Sequence, residues 1–421
     1  SIATALQRIG RAGHQVGGLP RARFLPISPH DLLELVALQT GILRGSMDLL
    51  KFPENCLDVL AQFLIGLSII KEWDIDDAYE LASASWPYRN LPYDDYIEVL
   101  DLLEDERRIW IDWEDNKFGK RGFAQMIYYT NIGTIAPNNN YLVFTSDGTM
   151  VGQLSSSFVS SLRNGDVFLL GGSTYRVSSI RGTRVNVSPA TGYRPTIPSW
   201  TGEANSRTHE LSQEVLELLE EVATYARLEK DPMTIFTDIL GLNRPVAHAV
   251  SGFFQEHVAT TFQVPSNDLI LVEQVEAPLP TYIVTTCRGR AFNLALGHLF
   301  AGIATNDNII VHELSFDENG FMIKLSHEVE ISLIPEIFKQ GNSKDVLQKH
   351  MMESQLFAKR FREISSRSML NPRRIGAEEV SPKQFQQRAE QIMQKHRQMD
   401  DSVLIRETMN EILHADLDMA Q

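Results

Sequence analysis

Gln7-Arg8-Ile9-Gly10-Arg11-Ala12-Gly13-His14 sets the frame in which the rest of the chain is read. Two arginines stand three apart, a glycine precedes the second, and a small-glycine pair succeeds it. Gly10 and Gly13 permit close backbone approach or a positive φ. That predicts a tight segment able to press against a polyphosphate. The planar guanidinium of Arg11 matches phosphate oxygens, and an arginine so placed can stabilise charge on a transferring phosphoryl group. Plain glycine-rich turns also produce such octets, so this one gains weight only from the downstream sequence.

The chain has 421 residues, 43% hydrophobic and 22% charged, which predicts two to four globular domains. No apolar run is long enough to cross a bilayer, and no signal peptide opens the chain. Cys56 and Cys287 make neither a disulfide framework nor a zinc site, so a reducing, cytoplasmic compartment is expected. The net charge of −15 argues against nucleic acid as a partner of the surface at large. A locally basic groove remains compatible with it.

Residues 21–27 read as a short closing strand, and Ser28-Pro29 as a helix start. A small helical module over residues 48–115 comes next, with three short helices followed by a β-ribbon formed by Ile109-Trp110-Ile111 and Ala124 to Tyr129, the pattern of a winged helix. Beyond it, short strands at 141–144, 152–154, 166–170, 174–177 and 184–187 are separated by turn signals such as Ser146-Asp147-Gly148 and Gly171-Gly172. Their regular spacing predicts a small barrel or sandwich. Helices and strands then mix: helices over 211–228, 246–260 and 293–304, strands over 269–273 and 281–286, and a hairpin of 309–311 with 321–325. The last eighty residues are helical and locally basic, with Lys349, Lys359, Arg360, Arg362, Arg367, Arg373 and Arg374. They read either as a solvated helix face or as the lining of a nucleic-acid channel.

The octet resembles motif VI of superfamily 2 helicases, Q-x-x-G-R-x-G-R, with His14 where that pattern ends in arginine. Continued by Gln15-Val16-Gly17, it looks like the version found in the large helicase-related (Lhr) family of DExH-box helicases. Further blocks agree in order along the chain. They are Pro53 to Gln62 with Lys71-Glu72-Trp73-Asp74, Trp86 to Leu91, Gly119 to Gly122, and Gly133-Thr134-Ile135 (with Ala136 where the family has proline). Tyr141 to Phe144, Gly165 to Gly172 and Pro195 to Glu203 continue the series.

The resemblance implies a 3′-to-5′ helicase and translocase driven by ATP with Mg²⁺. It would act on single-stranded DNA or a 3′-tailed duplex, or on an RNA–DNA hybrid. No G-x-x-x-x-G-K-[ST] loop and no DExH or DEAD box occurs, and the first residue is Ser1. The expectation is therefore a C-terminal piece of a longer ATPase, partnered by N-terminal RecA-like domains that bind most of the nucleotide and inactive as an ATPase alone. The fold class expected is α+β and multidomain. Residues 1–45 would end a second RecA-like domain, 46–118 form the winged helix, 119–205 a small β-barrel, and 206–421 a mixed α/β module.

In that frame Arg11 is the candidate catalytic residue at the γ-phosphate, and Gln7, Arg8 and His14 join it in binding ATP. His14 would not carry a full charge at neutral pH. Trp200, on a proline-stiffened loop, is the candidate base-stacking platform; otherwise it plugs the end of the barrel. Ile135 is read as an apolar wedge at a duplex fork, or else as an ordinary strand residue. Lys120 and Arg121 either hold phosphates or lie in a solvated turn. The histidines are scattered and none is read as a metal ligand. The competing class is a non-catalytic module docking single-stranded nucleic acid or protein. A base-processing enzyme is disfavoured because no catalytic carboxylate pair can be placed.

Overall fold

The computed structural model describes residues 1–12, 20–135, 141–155, 158–159, 162, 164–181, 184–192, 206–227, 233–261, 263–330, 342–399 and 401–418. Two compact units interleave in sequence. Ser1–Lys51, Glu203–Met351 and Leu413–Gln421 form one; Phe52–Gly202 and Met352–Ile412 form the other. The stretch 206–421 thus contributes to both.

In the second unit, helices Leu57–Ile70, Ile75–Ser83 and Tyr93–Asp105 bury Leu60, Leu64, Tyr96, Val99 and Leu100. Asp74 starts the middle helix, its carboxylate accepting from the amides of Asp76 and Asp77. Strands β1 (Trp73–Asp74), β2 (Ile109–Asp112) and β3 (Lys117–Lys120) form a sheet in the order β1-β3-β2. This is a winged helix, but the ribbon differs from the expected one. Ala124–Asn131 is a helix, and Lys117–Lys120 supplies the second wing strand. Ala124, Ile127 and Tyr128 follow helical spacing, so Ala124 and Ile127 are buried and Tyr128 turns toward helix Leu57–Ile70. Gly66 admits it there: a Cβ would lie 2.7 Å from the Tyr128 hydroxyl. In the wing, Gly119 faces Trp110, and a Cβ would come within 2.6 Å of the indole.

The next five strands are β4 (Tyr141–Thr145), β5 (Met150–Leu154), β6 (Val167–Leu170), β7 (Ser173–Arg181) and β8 (Arg184–Pro189). They fall where the turn signals predict and are ordered β5-β4-β8-β7-β6, with β4 and β8 parallel. Val143, Leu154, Phe168, Val177, Val185 and Val187 share one core. The sheet curls until its edges approach: a Cβ at Gly152 would sit 3.0 Å from Leu170 on the opposite edge strand. Helices Gln355–Arg367, Pro382–Arg397 and Val403–Glu411 complete the unit. Arg367 pairs with the buried Asp58 at 2.5 Å and with Glu411. Burial is the leading cause that raises the pKa values of Asp58, Glu411 and Glu407, the last to about 8.

In the first unit, helices Ile2–Gly10, Pro29–Arg44, His209–Arg227 and Arg244–Thr261 share an apolar cluster that includes Ile2, Val36, Leu219, Val222, Phe236 and Phe254. Ser28 caps its helix as expected, accepting from the Asp31 amide at 3.1 Å, with Pro29 in the first turn. An antiparallel sheet of β9 (Leu271–Val275), β10 (Thr281–Thr285), β11 (Val311–Phe316) and β12 (Gly320–Leu325), ordered β11-β12-β10-β9, packs against helix Arg290–Asn306. Arg207 is buried beside it. It donates to Ser212 Oγ, Glu34, Asn319 Oδ1 and the carbonyls of Cys287 and Glu318.

The closing strand expected over residues 21–27 is not formed. These residues pair with no described strand, and Leu25 and Ile27 are 84% and 95% exposed. Among the described residues no helix is long and apolar enough to cross a membrane.

Candidate nucleic-acid interface

The octet begins inside a helix. Ser1 caps Ile2–Gly10, its hydroxyl accepting from the Thr4 amide at 3.1 Å. Ile2 and Ala5 are buried, while Gln7, Arg8 and Arg11 are exposed. Arg11 lies four residues after Gln7 and three after Arg8, so the helix carries all three on one side. Neither guanidinium has an ion-pair partner among the described residues, and positive charge at a helix C-terminus is favourable. The tight glycine turn is corrected: Gly10 is the last helical residue and its φ is not positive. The Ser1 cap and the apolar positions 2, 5 and 6 carry the helix that far. Gly13 and His14 lie outside the described residues.

The winged helix narrows where nucleic acid could meet the second unit. Such folds commonly offer a helix to the major groove. Here the third helix, Tyr93–Asp105, carries Asp94, Asp95, Glu98, Asp101, Glu104 and Asp105 and no Lys or Arg. Burial first, then Asp105, Glu104 and Glu98, raises the Asp101 pKa. A face of this charge repels phosphate.

The C-terminal arginines of this unit are largely committed elsewhere. Arg360 pairs with Glu363 and Glu411, Arg367 with Asp58 and Glu411, and Arg406 with Asp95, Glu98 and Asp401. Desolvation lowers the pKa values of Arg362 and Arg373. These residues hold the unit together more than they line a channel.

What is left is the uncharged helix Ala124–Asn131 and its two ends. At the first end, Lys120 donates to Gln125 Oε1 at 3.2 Å and Arg121 lies 3.7 Å from Glu104. Each keeps further donors beyond that contact. Phe123 stands beside them, 74% exposed. At the other end, the exposed Tyr129 and Ile132 lead to Ile135, 90% exposed and outside any strand. This helix, about 12 Å long, stands between Lys120 and Arg121 on one side and Ile135 on the other in the chain.

The loop before Ile135 is held in place. Gln62 accepts from the Gly133 amide at 3.0 Å and donates to the Gly133 carbonyl at 3.3 Å and to the Arg367 carbonyl at 2.9 Å. Sequence reasoning missed Phe123 and Gln62. Phe123 could have been found as an aromatic directly after the basic-glycine run Lys120-Arg121-Gly122. Trp200 lies outside the described residues. Among the described residues no group of three or more His, Cys, Asp or Glu is placed to hold a metal ion.

Two family models match: the winged helix domain of large helicase-related protein over residues 40–197, and DEAD/H associated over residues 264–421. The chain is 32% identical over 434 residues to the ATP-dependent helicase Lhr-Core protein 2 of Thermococcus barophilus, covering 100% of this chain and 50% of that protein. It is 33% identical over 439 residues to the ATP-dependent helicase Lhr-Core of Methanothermobacter thermautotrophicus, again 100% of this chain and 50% of the relative. With the Lhr helicase/uracil glycosylase of Escherichia coli it shares 27% identity over 443 residues, 98% of this chain and 28% of that protein. The structure of Mycobacterium smegmatis helicase Lhr bound to ssDNA and AMP-PNP superposes with a TM-score of 0.76 at 22% identity, covering 100% of this chain and 51% of that one. That likeness establishes a common fold. The chain spans about half the length of the curated Lhr-Core relatives it matches. It belongs to the large helicase-related (Lhr) family.

Proposed function

We propose that this chain is the strand-guiding portion of an ATP-dependent 3′-to-5′ DNA helicase, gripping a single strand or a 3′-tailed duplex. The observation that carries the reading is the match, over the whole chain, to proteins named ATP-dependent helicase Lhr-Core. The Mycobacterium smegmatis relative of the same fold was captured with ssDNA. An RNA–DNA hybrid is a further substrate under this reading, and residues 1–45 are the end of a RecA-like domain.

Each residue takes the role its surroundings favour. Ile135, projecting from a loop clamped by Gln62, is the apolar wedge that unstacks a base step. Lys120 and Arg121 hold phosphates, and Trp200 stacks on a base. Gln7, Arg8 and Arg11 share an exposed helix side with two guanidinium groups unpaired among the described residues, which suits the phosphates of ATP. Bound ATP, with Mg²⁺, supplies the free energy of phosphoryl transfer; Arg11 stabilises charge at the γ-phosphate. The sequence carries no phosphate loop, so the chain alone hydrolyses no ATP.

Fluorescence anisotropy of a labelled single strand, across a salt series and with Trp200→Ala, tests the grip. A loss of about 1–3 kcal/mol with an unchanged salt slope supports stacking by Trp200. Unaltered affinity contradicts that role. DNA-stimulated ATP hydrolysis by this chain would contradict the division of labour.

A further inference from the structure

The second unit contains a cavity of about 500 Å³ that none of these roles uses. It opens on the side of helix Ala124–Asn131 marked by Phe123, Met126 and Ile127, whose spacing places them on one face. Leu370, Asn371, Pro372 and Ile375 line it from the segment after helix Gln355–Arg367. Arg388, Gln391 and Ile392 line it from helix Pro382–Arg397, and Arg108 completes the wall. Its size is that of a small-ligand site, which runs from roughly 300 to 1,000 Å³.

Three features define the chemistry of an occupant. The first is charge: in a chain of net charge −15, the lining holds two arginines and no carboxylate. Glu378 and Glu379 stand opposite Ile375 and Arg374 on the adjoining ribbon without lining the cavity. The second is polarity. Asn371 is fully buried, with its Nδ2 donating to the Phe385 carbonyl at 3.0 Å. Its Oδ1 is a buried acceptor without a hydrogen bond among the described residues. That atom is sealed from solvent as well, so Asn371 fixes the wall and offers an occupant no acceptor. Arg108 spends Nε and one terminal nitrogen on the carbonyls of Met369 and Leu370, leaving the other without a described partner. The third is the mouth, where Phe123 is 74% exposed and Arg388 is exposed and has no described ion-pair partner.

A largely apolar chamber with an arginine in its wall, an aromatic at its mouth and a second arginine at its rim fits a flat ring carrying an anion. We propose that this cavity is a nucleotide subsite, taking one unstacked base of a bound single strand, with Phe123 against the base and Arg388 on its phosphate. The inference deepens the strand-guiding reading and rests on it. It also adds a contact on the Phe123 side of helix Ala124–Asn131, away from the end that carries Ile135.

Anisotropy with a labelled single-stranded 12-mer compares the parent with Phe123→Leu and Arg388→Gln. Both side chains are exposed, so neither variant threatens folding. Phe123→Leu should weaken binding at least fivefold, and Arg388→Gln should weaken it less while reducing the salt slope by about one phosphate contact. A strand carrying 5-iodouracil should photocrosslink to Phe123 or to the 370–392 wall. If the strand binds parent and variants equally and crosslinks elsewhere, the cavity assignment falls while the strand-guiding reading stands. If no strand binds, titration with dAMP monitored by saturation-transfer NMR decides. Saturable binding that Arg388→Gln abolishes keeps the nucleotide subsite and removes the strand; no dAMP binding overturns both.

Discussion

Replacing Gln62 by leucine isolates what holds the loop that carries Ile135. The side chain is 8% exposed on helix Leu57–Ile70, and its amide makes three hydrogen bonds, two to Gly133 and one to Arg367. Leucine keeps most of the volume and removes all three. Each bond contributes about 0.5–1.5 kcal/mol net. Gly133 is exposed, so water recovers part of the loss there. The expected cost is therefore about 1–3 kcal/mol, concentrated in the loop. In an interleaved two-unit chain a global melting curve is a poor readout of a local change; amide exchange is the direct one. Protection of the Ile132 and Gly133 amides should fall roughly 5- to 150-fold, which is that energy expressed as an opening constant. With a forked DNA carrying 2-aminopurine at the junction, the fluorescence rise on binding should shrink as the wedge loses its support. Unchanged exchange would refute the clamp. Faster exchange with an unchanged fork signal would refute the link between clamp and wedge.

Ile135→Ala should leave stability within about 0.5 kcal/mol, because the side chain is 90% exposed, yet lower the junction 2-aminopurine signal; a parental signal removes the wedge. Glu407 is buried against Asp58 and Glu411, with burial the main cause of a pKa raised from 4.5 to about 8. Between those values the folded chain holds a proton that the unfolded chain has lost, so stability falls as pH rises from about 4.5 to 8 and the full penalty remains above 8. Glu407→Gln should therefore stabilise the protein at pH 8.5, by on the order of 5 kcal/mol at most, and have little effect at pH 4.5. Urea titrations at both pH values check this, and equal effects contradict it. Arg207→Lys should destabilise the first unit by on the order of 3–5 kcal/mol, since an ammonium cannot reproduce five donations in a buried setting; urea unfolding monitored through Tyr282 and its neighbours would show a near-neutral change if the hub were unimportant.

Local chemistry was legible where it acts locally. Ser28 and Pro29 announced a helix start, and the alternation and turns between residues 141 and 189 announced five strands. The wing was misread because Ile127, Tyr128 and Tyr129 look like strand residues, whereas Lys117 to Lys120 looks like a polar turn. Which one pairs with β2 is decided by the burial of Phe118 and by the room Gly119 leaves for Trp110. Residues 21–27 have strand composition but pair with none of the described strands. The basic C-terminal helices showed their charge in the sequence but not their partners: Arg367 meets Asp58 across 309 positions, which no spacing rule reveals. The interleaving of the two units was hidden for the same reason. Of the candidate site, the sequence marked Lys120, Arg121 and Ile135. It did not show that a helix of about 12 Å stands between them or that Gln62 clamps the loop.

Whether this chain grips a single strand is settled by anisotropy with a labelled single strand and a blunt duplex of the same sequence, over a range of salt. The single strand should bind at least tenfold tighter, because the acidic helix Tyr93–Asp105 denies the duplex a groove-reading face. Its affinity should fall with salt by a slope of about −0.7 per phosphate contact. Binding of neither, or equal binding of both, would contradict the grip.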